Sequence, residues 1–105
     1  MNNGNRRQWK RHANEVSAEV KIGEATYSAH LNDISGGGIS VKGQVGISIG
    51  DNVHIKLHHF GAFAGQVVRK WDDGYAIEFN LEDGERRSLE ESIKAFMRER
   101  DLVEA

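Results

Sequence analysis

The chain has 105 residues, 38% hydrophobic and 29% charged, which is the length and composition of one soluble globular domain. It contains no cysteine, so disulfide frameworks, thiol nucleophiles and thiolate metal sites are excluded. The formal net charge is −2, yet residues 1–11 carry four basic side chains and no acidic one. That distribution favours a small anionic ligand over DNA or RNA, whose binding needs a broad basic face.

Apolar residues alternate with polar ones in six short segments, which is the pattern of half-buried strands. These segments cover residues 16–22, 25–31, 39–41, 53–57, 63–68 and 75–79. Two turn signals, Gly23-Glu24 and Asp72-Asp73-Gly74, each join neighbouring segments into a predicted hairpin. Trp71 is expected to pack against the hairpin at Asp72-Asp73-Gly74. Small all-β domains remove exposed edges by closing their sheet, so the sequence predicts an all-β fold with a six-stranded barrel.

The period changes near the C-terminus, where apolar residues recur at helical spacing and charges occupy the other face. The spacing predicts one amphipathic helix of about three to four turns that packs on the barrel. Ser88 followed by Glu91 has the form of a capping box and predicts the start of this helix. The apolar positions are Leu89, Ile93, Phe96 and Met97.

Residues 1–14 show no periodicity and are expected to form a flexible N-terminal arm, ahead of the barrel at 15–82 and the C-terminal helix and tail at 83–105. The arm contains the run Arg6-Arg7-Gln8-Trp9-Lys10-Arg11. Arginine has a planar donor fork that fits phosphate oxygens and the O6/N7 edge of guanine, so Arg7 and Arg11 could bracket one ligand. A solvated basic tail explains the same run, and Trp9 either stacks on a base or anchors the arm.

A second candidate site, Asp33-Ile34-Ser35-Gly36-Gly37-Gly38, lies between two predicted strands. Three glycines permit positive φ angles and let a ligand approach the backbone without Cβ clashes. Asp33 can accept hydrogen bonds from N1–H and N2–H of guanine, while Ser35 and exposed backbone N–H groups can hold a phosphate. The alternative is an ordinary tight turn with an Asx-type hydrogen bond.

Several other function classes find no support in the motifs. The chain has no phosphate-binding loop, no dinucleotide-binding fingerprint and no nucleophile with a matching base, so we do not expect an enzyme. His54 and His58 are four strand residues apart, roughly 13 Å, which is too far for one metal ion. The N-terminus lacks the apolar segment of a signal peptide, and the longest apolar runs are too short to span a bilayer. We expect a cytoplasmic protein without metal or membrane insertion.

The two candidate sites are more informative together than apart. Arg7-x-x-x-Arg11, followed about 22 residues later by Asp33-x-Ser35-x-x-Gly38 after a strand, resembles the paired motifs of the PilZ domain family. The segments 49–51, 65–69 and 75–79 are also similar to the family, so the resemblance covers about residues 6 to 81. One departure is that many relatives carry a proline just after the second arginine, whereas this chain has His12-Ala13-Asn14.

The resemblance implies a six-stranded antiparallel PilZ-type β-barrel with one C-terminal α-helix that binds cyclic di-GMP, the bacterial second messenger. By motif position, Arg7 and Arg11 would contact guanine edges and phosphates. Asp33, Ser35 and Gly38 would form the floor of the site, with Asp33 on a guanine and Ser35 near a phosphate.

Two further residues enter through the resemblance. Arg6 precedes the first motif, where a basic residue in the family often accompanies an intercalated ligand dimer, so we expect two ligands per site. Arg69 follows the segment Gly65-Gln66-Val67-Val68, where relatives often have a ligand-adjacent side chain.

The function implied is a receptor whose arm orders over the ligand and changes a surface that a downstream protein partner recognises. In the family such receptors regulate motility, exopolysaccharide production and related behaviour. One alternative is an adaptor of the same fold that binds a protein without nucleotide. Another is a small barrel that binds single-stranded nucleic acid, against which the net charge and the few aromatic residues argue.

Overall fold

The computed structural model describes residues 16–43 and 46–104. Within them the elements are β1 Ala18–Ile22, β2 Ala25–Ser35, β3 Gly38–Lys42, β4 Asn52–Leu57, β5 Gly61–Trp71, β6 Gly74–Phe79 and α1 Asp83–Glu104. All neighbouring strands are antiparallel, and they close into a barrel in the order β1-β2-β3-β6-β5-β4. The predicted fold class is therefore confirmed. The expected arm at residues 1–14 lies outside the described residues.

Period-two alternation gives each strand one face inside the barrel and one outside. β4 shows this most clearly, because Val53, Ile55 and Leu57 are buried and the residues between them are exposed. β2 and β5 run further than the alternation predicted, to Ser35 and Trp71. The inward side chains of the other strands join the same core, among them Val20, Val41, Val67, Ile77 and Phe79.

Two β-bulges interrupt the alternation on strands β2 and β5. The register of β2 against β3 shifts between Leu31 and Asp33, and that of β5 against β6 shifts between Val67 and Arg69. Leu31 and Val67 are buried in the core, so an unbroken period of two would send Asp33 and Arg69 inward as well. The extra residue in each strand reverses the phase and turns both charged side chains outward.

α1 begins at Asp83, five residues before the start that the Ser88–Glu91 pattern predicted. Its N-terminus is capped by Glu85, whose Oε1 accepts a hydrogen bond from the backbone N–H of Glu82 at 3.2 Å. The capping box expected at Ser88 and Glu91 is therefore wrong, because Ser88 lies inside the helix. The helix starts five residues before Ser88 because the side chain of Glu85 satisfies a backbone N–H at its N-terminus.

The helix has 22 residues, longer than the three to four turns expected, and packs on the barrel along its apolar face. The ring of Phe96 contacts the rings of His59 and Phe60, which follow β4, at centroid distances of 5.0 and 5.4 Å. The described part of the chain contains no helix with the length and apolarity that a membrane crossing needs. The helix residues in the barrel core are Leu89, Ile93, Phe96 and Met97, as predicted.

Candidate ligand-binding site

A row of four register partners crosses the outer face of strands β2, β3, β6 and β5. Asp33 pairs with Ser40, Ser40 with Ala76, and Ala76 with Arg69. With neighbouring strands 4.7–4.9 Å apart, the row is about 14–15 Å long. It has a carboxylate at one end, a guanidinium at the other and two small side chains between them. We call this row, with the surface around it, the outer face.

Two adjoining cavities lie on the outer face, and both are lined by Asp33, Ser40, Val68 and Ala76. The first, which we call the turn cavity, has a volume of about 350 Å³ and extends over the glycine turn at residues 36–38. The second, the tryptophan cavity, measures about 590 Å³. The turn cavity is also lined by Ser35, Gly37, Gly38, Glu78 and Arg86, and the tryptophan cavity by Asn32, Arg69 and Trp71.

The glycine turn is required by packing and not by positive φ angles, which corrects the expectation from the sequence. None of its three glycines has a positive φ, whereas Gly23, in the turn after β1, has a φ of 60°. A Cβ on Gly36 would collide with the carbonyl oxygen of Arg86, and one on Gly38 with that of Ile77. At Gly37 the nearest atom outside its chain neighbours would be 3.8 Å away. The turn is thus held between α1 and β6.

Two of the backbone N–H groups expected to be exposed for phosphate binding are already bonded within the protein. The N–H of Gly36 donates to Oε1 of Glu90 at 2.6 Å, and the N–H of Gly37 donates to Oγ of Ser35 at 3.2 Å. The carbonyl of Gly37 accepts from the N–H of Phe79 at 2.8 Å. The expectation of an open backbone nest is therefore wrong for these two groups, because a helix carboxylate and the serine of the motif itself take them.

Arg86 is a residue of the site that the sequence reasoning missed. It lies in the first turns of α1, where its Nε donates to the carbonyl of Leu81 at 3.0 Å and its Nη2 to the carbonyl of Phe79 at 3.5 Å. The guanidinium group is thereby fixed beside the glycine turn and lines the turn cavity. Because the helix start was expected at Ser88, nothing in the pattern placed Arg86 next to residues 36–38.

Trp71 was expected only to pack against its hairpin, and the structure shows that it also lines the candidate site. The side chain is half-buried and lines the tryptophan cavity beside Arg69 and Asn32. A Cβ on Gly74 would collide with the carbonyl oxygen of Val41 and would lie 2.9 Å from Nε1 of Trp71, so glycine is needed there for both the strand pairing and the indole. The aromatic wall of the site therefore comes from the residue before the turn.

The structure brings four of the predicted site residues to one surface. Asp33, Ser35 and Gly38 line the turn cavity, and Arg69 lines the tryptophan cavity next to it. One oxygen of Asp33 accepts the N–H of Ile34 at 2.9 Å, which orients the carboxylate. The other three predicted residues, Arg6, Arg7 and Arg11, lie outside the described residues.

Beneath the outer face the core is apolar, apart from one phenol. Tyr75 is the inward neighbour of Ala76 on β6 and is only 2% exposed. Burial raises the pKa of its hydroxyl above the usual value, because the phenolate form would lose its hydration. Among residues 16–43 and 46–104, no group of three His, Asp or Glu side chains could hold a metal ion.

Comparisons with known proteins agree with this architecture. The model of the PilZ domain family matches residues 5–95. A crystal structure of an uncharacterized Legionella protein has a TM-score of 0.57 at 21% identity and covers 80% of this chain and 89% of that one. The crystal structure of the Borreliella burgdorferi PlzA protein in complex with c-di-GMP has a TM-score of 0.56 at 16% identity, over 89% of this chain but 37% of that one. At these identities the two structures establish the fold alone. A search of curated proteins finds no match.

Proposed function

The chain belongs to the PilZ domain family, and we propose that it is a receptor that binds cyclic di-GMP on the outer face. The observation that carries the proposal is the convergence of Asp33, Ser35, Gly38 and Arg69 around two adjoining cavities. The family match supports it, and so does the likeness to PlzA, whose structure contains c-di-GMP. The function proposed is recognition and not catalysis.

The chemistry of the outer face suits a ligand with two guanines and two phosphates. Asp33 accepts the N1–H and N2–H groups of one guanine, the only base edge with two adjacent donors. Ser40 and Ala76 are small enough to leave a floor on which a planar base lies. Arg69, at the far end of the row, donates to a second guanine edge or a phosphate.

The arm supplies the remaining charge in this proposal. Arg7 and Arg11 close over the ligand, and ordering of residues 1–14 is the conformational change that a downstream protein partner reads. Charge-assisted hydrogen bonds contribute about 1.5–3 kcal/mol each, and ordering the arm opposes part of that sum. We expect a net binding free energy of about −8 kcal/mol, which is a dissociation constant near 1 μM.

Stoichiometry and output complete the proposal. Two cavities side by side, together with Arg6 ahead of the arginine motif, support two ligand molecules per site as an intercalated dimer. The output we propose is cytoplasmic regulation of motility, exopolysaccharide production or a related bacterial behaviour.

Amide hydrogen exchange tests the arm: saturation with cyclic di-GMP should bring new protection to residues 5–14.

Calorimetric titration of cyclic di-GMP tests the proposal as a whole. The wild type should bind with near-micromolar affinity and a ratio of two ligands per chain, whereas GTP should give no heat. The double variant Arg7→Ala/Arg11→Ala should lose binding. Absence of wild-type binding at millimolar ligand would overturn the receptor proposal and leave the nucleotide-independent adaptor.

A second variant tests the floor of the site. Ala76→Phe fills the space between Ser40 and Arg69, and we expect it to weaken binding by about tenfold or more, since steric exclusion removes the base-stacking surface. Ala64→Phe is the matched control, because Ala64 is exposed on β5 and lines neither cavity. Equal affinities for the two variants would show that the ligand does not lie on the row.

A further inference from the structure

Among the described residues that line the turn cavity, Arg86 is the only positively charged one. The cavity also has two carboxylates in its lining, Asp33 and Glu78. An anionic group that enters this cavity therefore meets two negative charges and one positive charge within the described part of the chain. Because the two carboxylates repel a phosphate at short range, the side of the turn cavity beside the Arg86 guanidinium is the most favourable place for one.

The guanidinium of Arg86 has donors left over for such a group. Arginine carries five N–H donors in a fixed planar fork. The protein uses Nε, which donates to Leu81, and one direction of Nη2, which donates to Phe79. Nη1 lies 4.0 Å from the position that a Cβ on Gly37 would occupy, so it faces the open glycine of the turn. Among residues 16–43 and 46–104, no carboxylate forms an ion pair with Arg86.

The backbone N–H groups of the glycine turn cannot bind a phosphate in place of Arg86 unless their present hydrogen bonds break. The N–H groups of Gly36 and Gly37 donate to Glu90 and Ser35, so the usual phosphate-binding donors of a glycine turn are occupied. Two anchored bonds hold the Arg86 fork in one orientation, which reduces the entropy lost when a third group binds. The remaining donors are therefore preorganised beside Ser35 and Gly37.

The local sequence does not favour arginine at this position for helix stability. A basic side chain in the first turns of a helix lies at the positive end of the helix dipole, which is unfavourable. Arg87, the next residue, is exposed and lines neither cavity, so it shares this disadvantage without contacting the site. What separates the two arginines is their position, since only Arg86 lines a cavity.

We propose that Arg86 is a ligand-binding residue, and that its Nη1 group donates to a non-bridging phosphate oxygen of a cyclic dinucleotide seated over Gly37. This inference rests on the receptor function proposed above and adds to it a contact from α1, outside the two sequence motifs. The helix then contributes directly to affinity. Because α1 also packs on the barrel, phosphate binding at its first turns is coupled to the contacts between the helix and the barrel.

The test is calorimetric titration of cyclic di-GMP into the wild type, Arg86→Gln, Arg86→Lys and the matched control Arg87→Gln. Loss of one charge-assisted hydrogen bond corresponds to roughly 10- to 100-fold in affinity. We expect Arg86→Gln to bind at least tenfold more weakly, Arg86→Lys to be intermediate, and Arg87→Gln to remain within about twofold of the wild type. Thermal unfolding of each variant without ligand reports on the fold.

A second measurement needs no variant and therefore does not depend on folding. Side-chain ¹H–¹⁵N spectra of the wild-type protein should show the Arg86 guanidinium shifting and exchanging more slowly with water when cyclic di-GMP is added. Equal affinities of Arg86→Gln and Arg87→Gln would overturn the inference, as would an unmoved Arg86 signal at saturation, even if Arg86→Gln binds weakly. Wild-type binding that depends on Arg7 and Arg11 but not on Arg86 removes this contact alone, whereas no wild-type binding removes the receptor function with it.

Discussion

The inner and outer faces of strands β2, β3, β6 and β5 follow different rules although their residues alternate along the same chain. The inner face is apolar apart from its tyrosine hydroxyls, and Val41, Val67 and Ile77 on it are at most 2% exposed. The outer face combines a carboxylate, two small side chains and a guanidinium in one row. The inner face accounts for the stability of the barrel, whereas the outer face adds little to it and is free to be shaped by recognition.

The largest difference between the two faces should appear when one large side chain is removed from each. Phe79 is completely buried and stacks on Phe63 at a centroid distance of 4.8 Å, whereas Val68 is 45% exposed on the outer face. Phe79→Ala should lower the free energy of unfolding by about 3–5 kcal/mol, because it leaves a cavity in the core. Val68→Ala should change it by less than about 0.5 kcal/mol. Denaturant unfolding followed by circular dichroism measures both, and similar losses for the two variants would contradict the division between faces.

A smaller difference in the free energy of unfolding is expected between two neighbouring positions of the glycine turn. Gly38→Ala should lower the free energy of unfolding by about 1–3 kcal/mol, because the new Cβ meets the Ile77 carbonyl, a backbone atom that cannot rotate away. Gly37→Ala should stay within about 0.5 kcal/mol, because its Cβ would make only ordinary van der Waals contacts, the nearest with Oγ of Ser35 at 3.8 Å. The same unfolding experiment decides between them. If both variants are neutral, the turn does not pack against β6 as the structure indicates.

The alternation of apolar residues was sufficient to predict the inner face. Val53, Ile55 and Leu57 show why: burial of one strand face imposes a period of two that no other constraint overrides. The barrel follows, because six short strands with turn signals have few other ways to remove their edges. The helix residues Leu89, Ile93, Phe96 and Met97 were predictable in the same way, from the helical spacing of the apolar side.

The outer face was predictable only where a motif resembled those of a family, and its geometry left only one signal in the sequence. The bulges at Asn32 and Val68 decide that Asp33 and Arg69 point outward, yet a bulge depends on pairing between strands and has no reliable pattern along one of them. One signal was present: Leu31 and Ile34, both buried, are three residues apart where an unbroken strand requires two or four. Arg86 was not predicted as a site residue, because the helix begins at the Glu85 cap and not at the Ser88 pattern.

The smallest predicted effect concerns Tyr75, the one ionisable side chain that is fully buried among the described residues. Its pKa is raised in the folded state because burial disfavours the phenolate, so folding holds the proton more tightly than the unfolded chain does. The stability from this neutral phenol is fully present below about pH 10, the unfolded pKa, and is lost as the pH rises through the folded pKa. Tyr75→Phe has no ionisable hydroxyl at this position, so its stability lacks this dependence on pH.

The free energy of unfolding of the wild type should therefore fall relative to that of Tyr75→Phe above about pH 10. Urea unfolding at a series of alkaline pH values measures this difference. Tyr27→Phe, at a half-buried position on β2, controls for the removal of a phenol. Identical alkaline profiles for the two variants would show that Tyr75 ionises without disturbing the core.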